Sequence, residues 1–523
     1  MDPPKLATMK TEMFDPSTWP DEGIPEVLLP VAFASMDRHF GWLVGLSKCI
    51  VAEIHFYPNS DVRKEIVQTP DTEFLRKYQS ARVIIGTGDK AKTESVAKKW
   101  TQRSQKPTFT KINFLATEDE RTKAPKVLSC FNGLPLDATQ PLAFGDCRYH
   151  SGVQLVLDHF HHILANGDAK LCHYIVGWHA YALQTYDKVG VALAFCGQPG
   201  TGKSTLYYKS THNSPIFATI YGQTYQGTGG LAEITARFNS TSEAKLLCVV
   251  DEVADGEGKK NMDRIKMLAD SSETTIEYKH MDAQRMQDKR NSVFLTNHRD
   301  AFGTDGATDE ITRKMVIAEV SDKYSTMNCH ADPLLAQEAD SYFTDLNKAM
   351  ASVETQMHFF WFLKHYPLSD MNWKPFGFPR TTLMQEMLDE ANPISSFLTS
   401  LRLGECDTDD PDGDDGFRFA PTPTADANVI VQKRFLFTAQ LYKCFTTWSV
   451  NHMPSADISS LGVFVTKMKK AAEKLPFIAH KHMRNGNGYV INAIADETHT
   501  EPLDDSESLS PSFSLGSQLD SVE

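Results

Sequence analysis

Residues 197–205 read GQPGTGKST and follow the apolar run VALAFC (191–196). Gly197, Gly202, Lys203 and Ser204 fill the spacing G-x-x-x-x-G-K-[ST]. Glycines let main-chain N–H groups curl around phosphate oxygens with no Cβ in the way. The lysine then brings a charge to the β/γ oxygens, and the Ser204 hydroxyl joins a Mg²⁺ shell. Gly197, Gln198, Pro199, Gly200, Thr201, Gly202, Lys203, Ser204 and Thr205 are thus the expected ATP-binding loop, with a strand before it and a helix after it.

Such a loop needs a carboxylate for the metal and a group to orient the attacking water. KLLCVVDEV (245–253) supplies Asp251 for Mg²⁺ and Glu252 as base. NSVFLTN (291–297) ends on Asn297, a polar side chain suited to sensing the γ-phosphate, or a plain strand-to-loop asparagine. Arg313, before KMVIAEV (314–320), could reach a neighbouring subunit's γ-phosphate. Lys314 could take that role instead, and a surface ion pair of Arg313 with Asp309 or Glu310 is the plainer reading. Apolar strands alternating with helices predict an α/β sheet.

Between Glu252 and Asn297, the stretch IEYKHMDAQRMQDKRNS (276–292) gathers Lys279, His280, Arg285, Lys289 and Arg290. A basic loop or hairpin there could grip a DNA backbone; a solvated charged loop is the alternative.

The chain has 523 residues, so several domains are expected. No apolar run approaches the roughly 20 residues of a membrane span, and MDPPKLATMKTEMFDPSTW (1–19) lacks a signal-peptide layout. Nine cysteines without a CxxC pair fit a reducing compartment. An intracellular, unsecreted protein with no membrane partner is expected.

The net charge of −14 is concentrated in two segments. Residues 404–426 contribute −7 and residues 496–523 contribute −8, which leaves the rest near +1. Both are rich in Pro, Gly, Ser and Asp and read as disordered. The acidic balance therefore does not exclude nucleic acid.

The expected divisions are an N-terminal region of unassigned role (1–90), a pre-motor α+β and helical region (91–185), a P-loop core (186–330), a helical region (331–403), an acidic linker (404–428), a winged-helix-like domain (429–495) and an acidic tail (496–523). The winged-helix reading rests on two amphipathic helices and a hairpin around Asn485-Gly486. Lys467, Lys469, Lys470, Lys474, His480, Lys481 and Arg484 would make its helix and wing basic. DNA contact and a solvated face are equal readings of that charge.

Three other features suggest less. His159-Phe160-His161 has the form that rolling-circle nickases use for a metal, but it lies on a helical pattern and reads as a partly exposed helix face. Cys172-His173 and Cys329-His330 lack metal-ligand spacing, and HFFWFLKHY (358–366) reads as core.

Taken in order, LAFCGQPGTGKST, LLCVVDE, the Lys-His segment, FLTNH and TRKMVIAEV resemble a superfamily 3 helicase, the AAA+-type motor of viral and plasmid replication. The likeness is closest to the helicase half of poxvirus-type and phage primase-helicases. WTQRSQKPTFTKINFL, CFNGLPL, GWHAYALQ and the stretch FFWFLKHYPLSDMNWKPFGFPRTTLMQEML also look like that group, so the resemblance covers about residues 95–495. Lys279-His280 is similar to the Lys-His pair on the DNA-gripping hairpin of polyomavirus large T antigen. The resemblance implies a homo-hexamer that hydrolyses Mg-ATP between subunits and moves 3′-to-5′ along single-stranded or forked DNA. A primase or polymerase would be a separate chain. A DNA-binding initiator with an ATP-controlled assembly state, and an RNA-directed or packaging ATPase, remain as rivals.

Overall fold

The computed structural model describes residues 20–46, 49–57, 61–208, 215–235, 239–254, 261–277, 283–302, 314–368, 379–391, 394, 397–398, 400–401, 431–452, 460–474, 478–483 and 486–494. The predicted linker and tail, Arg313, Lys279, His280 and Arg484 lie outside these residues. The chain divides into two units, 1–388 and 389–523.

In the first unit, a four-stranded sheet runs in the order Arg63–Pro70, Ile50–Phe56, Phe40–Leu43, Thr108–Phe109. Phe40, Phe74, Tyr78 and Trp100 pack edge-to-face or tilted beside it. The division expected at 90/91 falls inside a hairpin, because Arg82–Ile85 pairs antiparallel with Lys92–Ser95. Residues on both sides of that point build one core.

The helical stretch begins with α1 (Ser151–Asp158), widens into a π-helical segment (His159–Leu164), and resumes as α2 (Ala169–Thr185). Asp168 caps α2, its carboxylate accepting from the N–H groups of Lys170 and Leu171. The central sheet then forms from β1 (Ala192–Cys196), β2 (Tyr225–Thr228), β3 (Leu247–Val250), β6 (Asn291–Thr296) and β7 (Met315–Glu319). Between β3 and β6 a small hairpin pairs β4 (Glu273–Ile276) with β5 (Gln284–Gln287). The sheet order is β2-β3-β6-β1-β7, and every pairing is parallel. A parallel sheet is covered on both faces, so its strands are continuous apolar runs rather than alternating ones. That is the pattern of ALAFC, LCVV and NSVFLT, each buried along its whole length.

Behind the sheet come α3 (Thr326–Ala331), α4 (Pro333–Ala351) and α5 (Val353–His365). Phe359, Phe360, Phe362 and Leu363 are buried, so the aromatic run at 358–366 is core, as its composition predicts. Gln184 ties α2 to the end of α5 by donating to the carbonyls of Leu363 and Tyr366, both at 2.9 Å.

One local expectation fails. The helix predicted directly after the phosphate loop is replaced by turns over 203–207, closed by Thr205 N–H to Gly202 O (3.0 Å) and Tyr208 N–H to Ser204 O (2.8 Å). Ser, Thr and Tyr hold a helix weakly, and Pro215 limits how far one could run. Among the described residues, the next helix is Ile216–Tyr221.

The second unit contains β8 (Val431–Phe437), α6 (Thr438–His452), α7 (Leu461–Lys474), β9 (Ile478–Met483) and β10 (Gly486–Ile494). Its sheet order, β8-β10-β9, is antiparallel throughout, and Met483 pairs with Gly486 to close the hairpin. Leu441, Phe445, Trp448, Phe464, Met468 and Tyr489 form its core with Phe397. Leu461, at the start of α7, is 44% exposed. Lys467, Lys469, Lys470 and His480 are exposed.

Candidate functional site

Strands β1, β6 and β3 lie side by side and release three loops at their carboxyl ends. Open α/β sheets take their ligands at this edge. The loop after β1 contains Gly200 and Gly202 with φ of +84° and +88°. A Cβ on Gly200 would meet Thr326 Oγ1 at 2.6 Å, and one on Gly202 would meet Phe343 Cε1 at 2.6 Å. Handedness and space both require glycine here.

Two props hold the back of the loop. Thr326, the first residue of α3, donates its N–H and its hydroxyl to the Pro199 carbonyl at 3.0 and 3.1 Å. From the opposite side, His159 Nε2 lies 3.0 Å from the Gly202 carbonyl and Nδ1 lies 2.9 Å from the Tyr342 hydroxyl. A carbonyl only accepts, so Nε2 carries the hydrogen and Nδ1 accepts from Tyr342. Complete burial pushes the imidazole down to about 4, with only the Gly202 hydrogen bond opposing, and it stays neutral. His159 is therefore not on an exposed helix face as the sequence suggests, but is 0% exposed beneath the loop.

On the front, Lys203 Nζ donates to Asn297 Oδ1 at the end of β6 and lies 3.4 Å from the Gln198 carbonyl. Burial lowers the lysine's proton affinity, while Asp251, Cys196 and Glu252 raise it. Asp251 follows β3 directly. Its N–H donates to Thr228 O and that of Val253 to Leu295 O, both at 2.9 Å. Between these two anchored amides Glu252 adopts φ of +56°, a left-handed conformation that costs a non-glycine residue about 1–3 kcal/mol. Burial and the Glu252 charge raise the Asp251 carboxyl above its usual range, with Lys203 opposing. The donor set fits Mg-ATP: the Asp251 and Glu252 carboxylates are adjacent, and a divalent cation would relieve the repulsion that raises Asp251.

Lys203, Asn297, Asp251 and Glu252 are thus brought together, with Ser204 and Thr205 in the turn that follows. Thr201 is buried and its hydroxyl donates to Gln198 O at 2.9 Å, an internal brace of the loop. Lys314 Nζ lies 2.8 Å from Asp270 of its own chain.

The basic segment separates into different environments. Arg285 is exposed and pairs with Glu273 across the hairpin at 2.5 Å. Lys289 turns toward Asp187 at 3.1 Å and Glu120 at 3.8 Å, with its side chain 12% exposed. Arg290 corrects the sequence reading: it is 5% exposed and grips Asp288 through Nε (2.8 Å) and a terminal nitrogen (2.9 Å). Lys188 joins the same carboxylate at 3.2 Å. Burial alone would raise Asp288, but the Arg290 and Lys188 contacts hold it below the usual carboxylate range. Arg290 is therefore the root of the hairpin rather than a DNA contact.

Sequence reasoning missed His159, Thr326 and Tyr342 as supports of the loop. It also missed Tyr208, whose hydroxyl is raised by burial and by the charges of Asp251, Glu233 and Glu252. No motif marks these residues, because their partners are distant in the chain.

The fold and site define a mixed α/β protein with a parallel central sheet and a glycine-rich loop at its carboxyl edge. A family model described as a family of unknown function (DUF5906) matches residues 195–314. No curated protein matches the chain. Among solved structures, the apo structure of the NrS-1 C-terminal region (305–718) is similar at a TM-score of 0.52 and 14% identity, over 88% of this chain and 97% of that one. An A-form apo structure of the NrS-1 C-terminal region is similar at a TM-score of 0.48 and 17% identity, over 72% of this chain and 77% of that one. The first of these likenesses shows a shared fold. No described helix is long and apolar enough to cross a membrane.

Proposed function

We propose that this chain is a P-loop ATP hydrolase of the AAA+ type that drives translocation along, or unwinding of, DNA in the replication of a virus, phage or mobile element. The observation that carries the reading is the meeting of Lys203, Asn297 and the Asp251-Glu252 couple at the carboxyl ends of three neighbouring parallel strands. Bound Mg-ATP would supply the phosphoanhydride and the metal charge. In this reading Gly197–Thr205 wrap the phosphates, Lys203 neutralises their charge, and Ser204 and Asp251 hold the metal. Glu252 orients water, and Asn297 keeps Lys203 aimed until a phosphate replaces it. Arg313 is the proposed finger acting on a neighbour's nucleotide, and the 273–287 hairpin with Lys279, His280 and Arg285 is the proposed DNA contact.

The test is ATP turnover with and without single-stranded DNA, followed by strand displacement from a forked duplex. Turnover stimulated by DNA, abolished in Lys203→Ala and coupled to displacement, is the expected result. A folded protein that neither binds nor hydrolyses ATP would overturn the reading. A second reading, an ATP-controlled initiator, is favoured by the strand, two helices and hairpin of the second unit with exposed Lys467, Lys469 and Lys470. Hydrolysis and duplex binding without strand displacement would select it.

A further inference from the structure

A second cluster of chemistry-bearing side chains lies where α1 meets α5. His150 occupies the N-cap position of α1, and Glu354 and His358 stand four residues apart in α5. Residues at that spacing share one helix face. The two helices are brought close by Gly152, where a Cβ would come within 2.2 Å of Thr355 Oγ1. Because Thr355 fills the space a side chain at 152 would take, His150 is drawn alongside the residues flanking Thr355.

One donor atom from each of His150, Glu354 and His358 lies within 4.8 Å of the other two. The imidazoles stack with centroids 4.2 Å apart and planes 12° from parallel. In each ring Nδ1 is shut off from water and has no hydrogen-bond partner among the described residues. Two protonated rings would repel at this distance. An imidazole in its neutral form offers a ring lone pair. That form is the one that ligates metals. An ion pair between protonated His150 and Glu354, 3.8 Å apart, would account for only one of the rings.

We propose that His150, Glu354 and His358 bind a zinc ion that rivets α1 to α5. Two imidazoles and one carboxylate are a zinc-type donor set, whereas Mg²⁺ and Ca²⁺ prefer oxygen alone. The Glu354 side chain is 73% exposed, with a carboxylate oxygen 3.8 Å from His150 Nε2. Three protein ligands leave a fourth position for water. The site is separate from the phosphate loop and does not depend on the chain being an ATPase.

The test uses the full chain stripped of metal and titrated with Co²⁺, whose visible d–d absorption reports low-symmetry nitrogen and oxygen ligation, in an Asp251→Asn background to remove the expected Mg²⁺ site. One cobalt per chain is expected, displaced by one equivalent of Zn²⁺. The absorption is lost in His358→Gln and His150→Gln, and Glu354→Gln weakens cobalt binding at least tenfold. Zinc should also raise the melting temperature of the parent chain but not of His358→Gln. Absence of stoichiometric absorption in the parent would overturn the proposal, as would a spectrum unchanged in Glu354→Gln and His358→Gln. Since Glu354 is exposed, its variant tests the site even if a histidine variant fails to fold.

Discussion

Beneath the glycine-rich loop, His159 sits at about 4 in the folded chain against an ordinary value of 6.5, because nothing solvates its charge there. As pH falls, the unfolded chain takes up a proton on this imidazole before the folded chain does. The contribution is complete above pH 6.5 and declines toward pH 4, by about 1.4 kcal/mol per pH unit for one proton. His159→Gln keeps a hydrogen-bond donor for Gly202 but does not titrate. Urea denaturation between pH 4 and 7 is expected to show a steeper loss of stability in the parent than in this variant, and equal slopes would remove His159 from the account. The sequence showed this residue only as part of a histidine pair in HFHH. Its partners, Gly202 and Tyr342, lie 43 and 183 positions away. By contrast the meeting of Lys203 with Asn297 follows strands whose ends are plain in the sequence, because each residue sits in the loop past an unbroken apolar run.

The hairpin β4–β5 is an element with an apolar side and a charged root. Ile276 and Met286 pack with Leu43, Ile50 and Leu128 of the N-terminal region. Gln284 donates to Gln68 at 2.8 Å, and the Gln287 N–H donates to Asn113 at 2.7 Å. Asp288 holds two buried cations at the root, so Asp288→Asn leaves Arg290 and Lys188 without their counter-charge. It is expected to cost about 3–5 kcal/mol, whereas Arg285→Ala, at an exposed pair, should stay within about 0.5 kcal/mol. Comparable urea midpoints for the two variants would contradict this description. A count of charges along IEYKHMDAQRMQDKR does not separate these cases. Whether an arginine faces water or a buried aspartate depends on what lies above it, and here that is chain from far upstream. The turns after the phosphate loop teach the same lesson: a motif predicts the cradle, while the following helix depends on propensity that Ser204, Thr205, Tyr207 and Tyr208 do not supply.

Across the molecule, the core that supports the site extends from Phe114 to Met387 and lies entirely in the first unit, while Phe397, Leu441, Phe445 and Phe464 serve the second. If the proposed ATP site is real, a chain ending at Leu388 is expected to bind a fluorescent ATP analogue within about threefold of the full chain, and to lose one calorimetric transition. Loss of nucleotide affinity on truncation would show that the second unit completes the site. Four strands of the central sheet were readable because they appear as unbroken apolar runs, whereas the edge strand β2 (YQGT) carries no such run. The N-terminal region was not, since its strands are short and mixed, and the hairpin joining Arg82–Ile85 to Lys92–Ser95 crosses the expected boundary. Strand β8 was hidden for a related reason: VQKRFLF follows an acid-rich stretch and carries two charges of its own. The two props under the phosphate loop also have a consequence for synthesis. Thr326 and Tyr342 leave the ribosome long after GQPGTGKST, so a nascent chain still short of them would present the glycines without their backing. The loop thus gains its full backing only after translation has passed the central sheet, so its left-handed glycines are fixed in place late in synthesis.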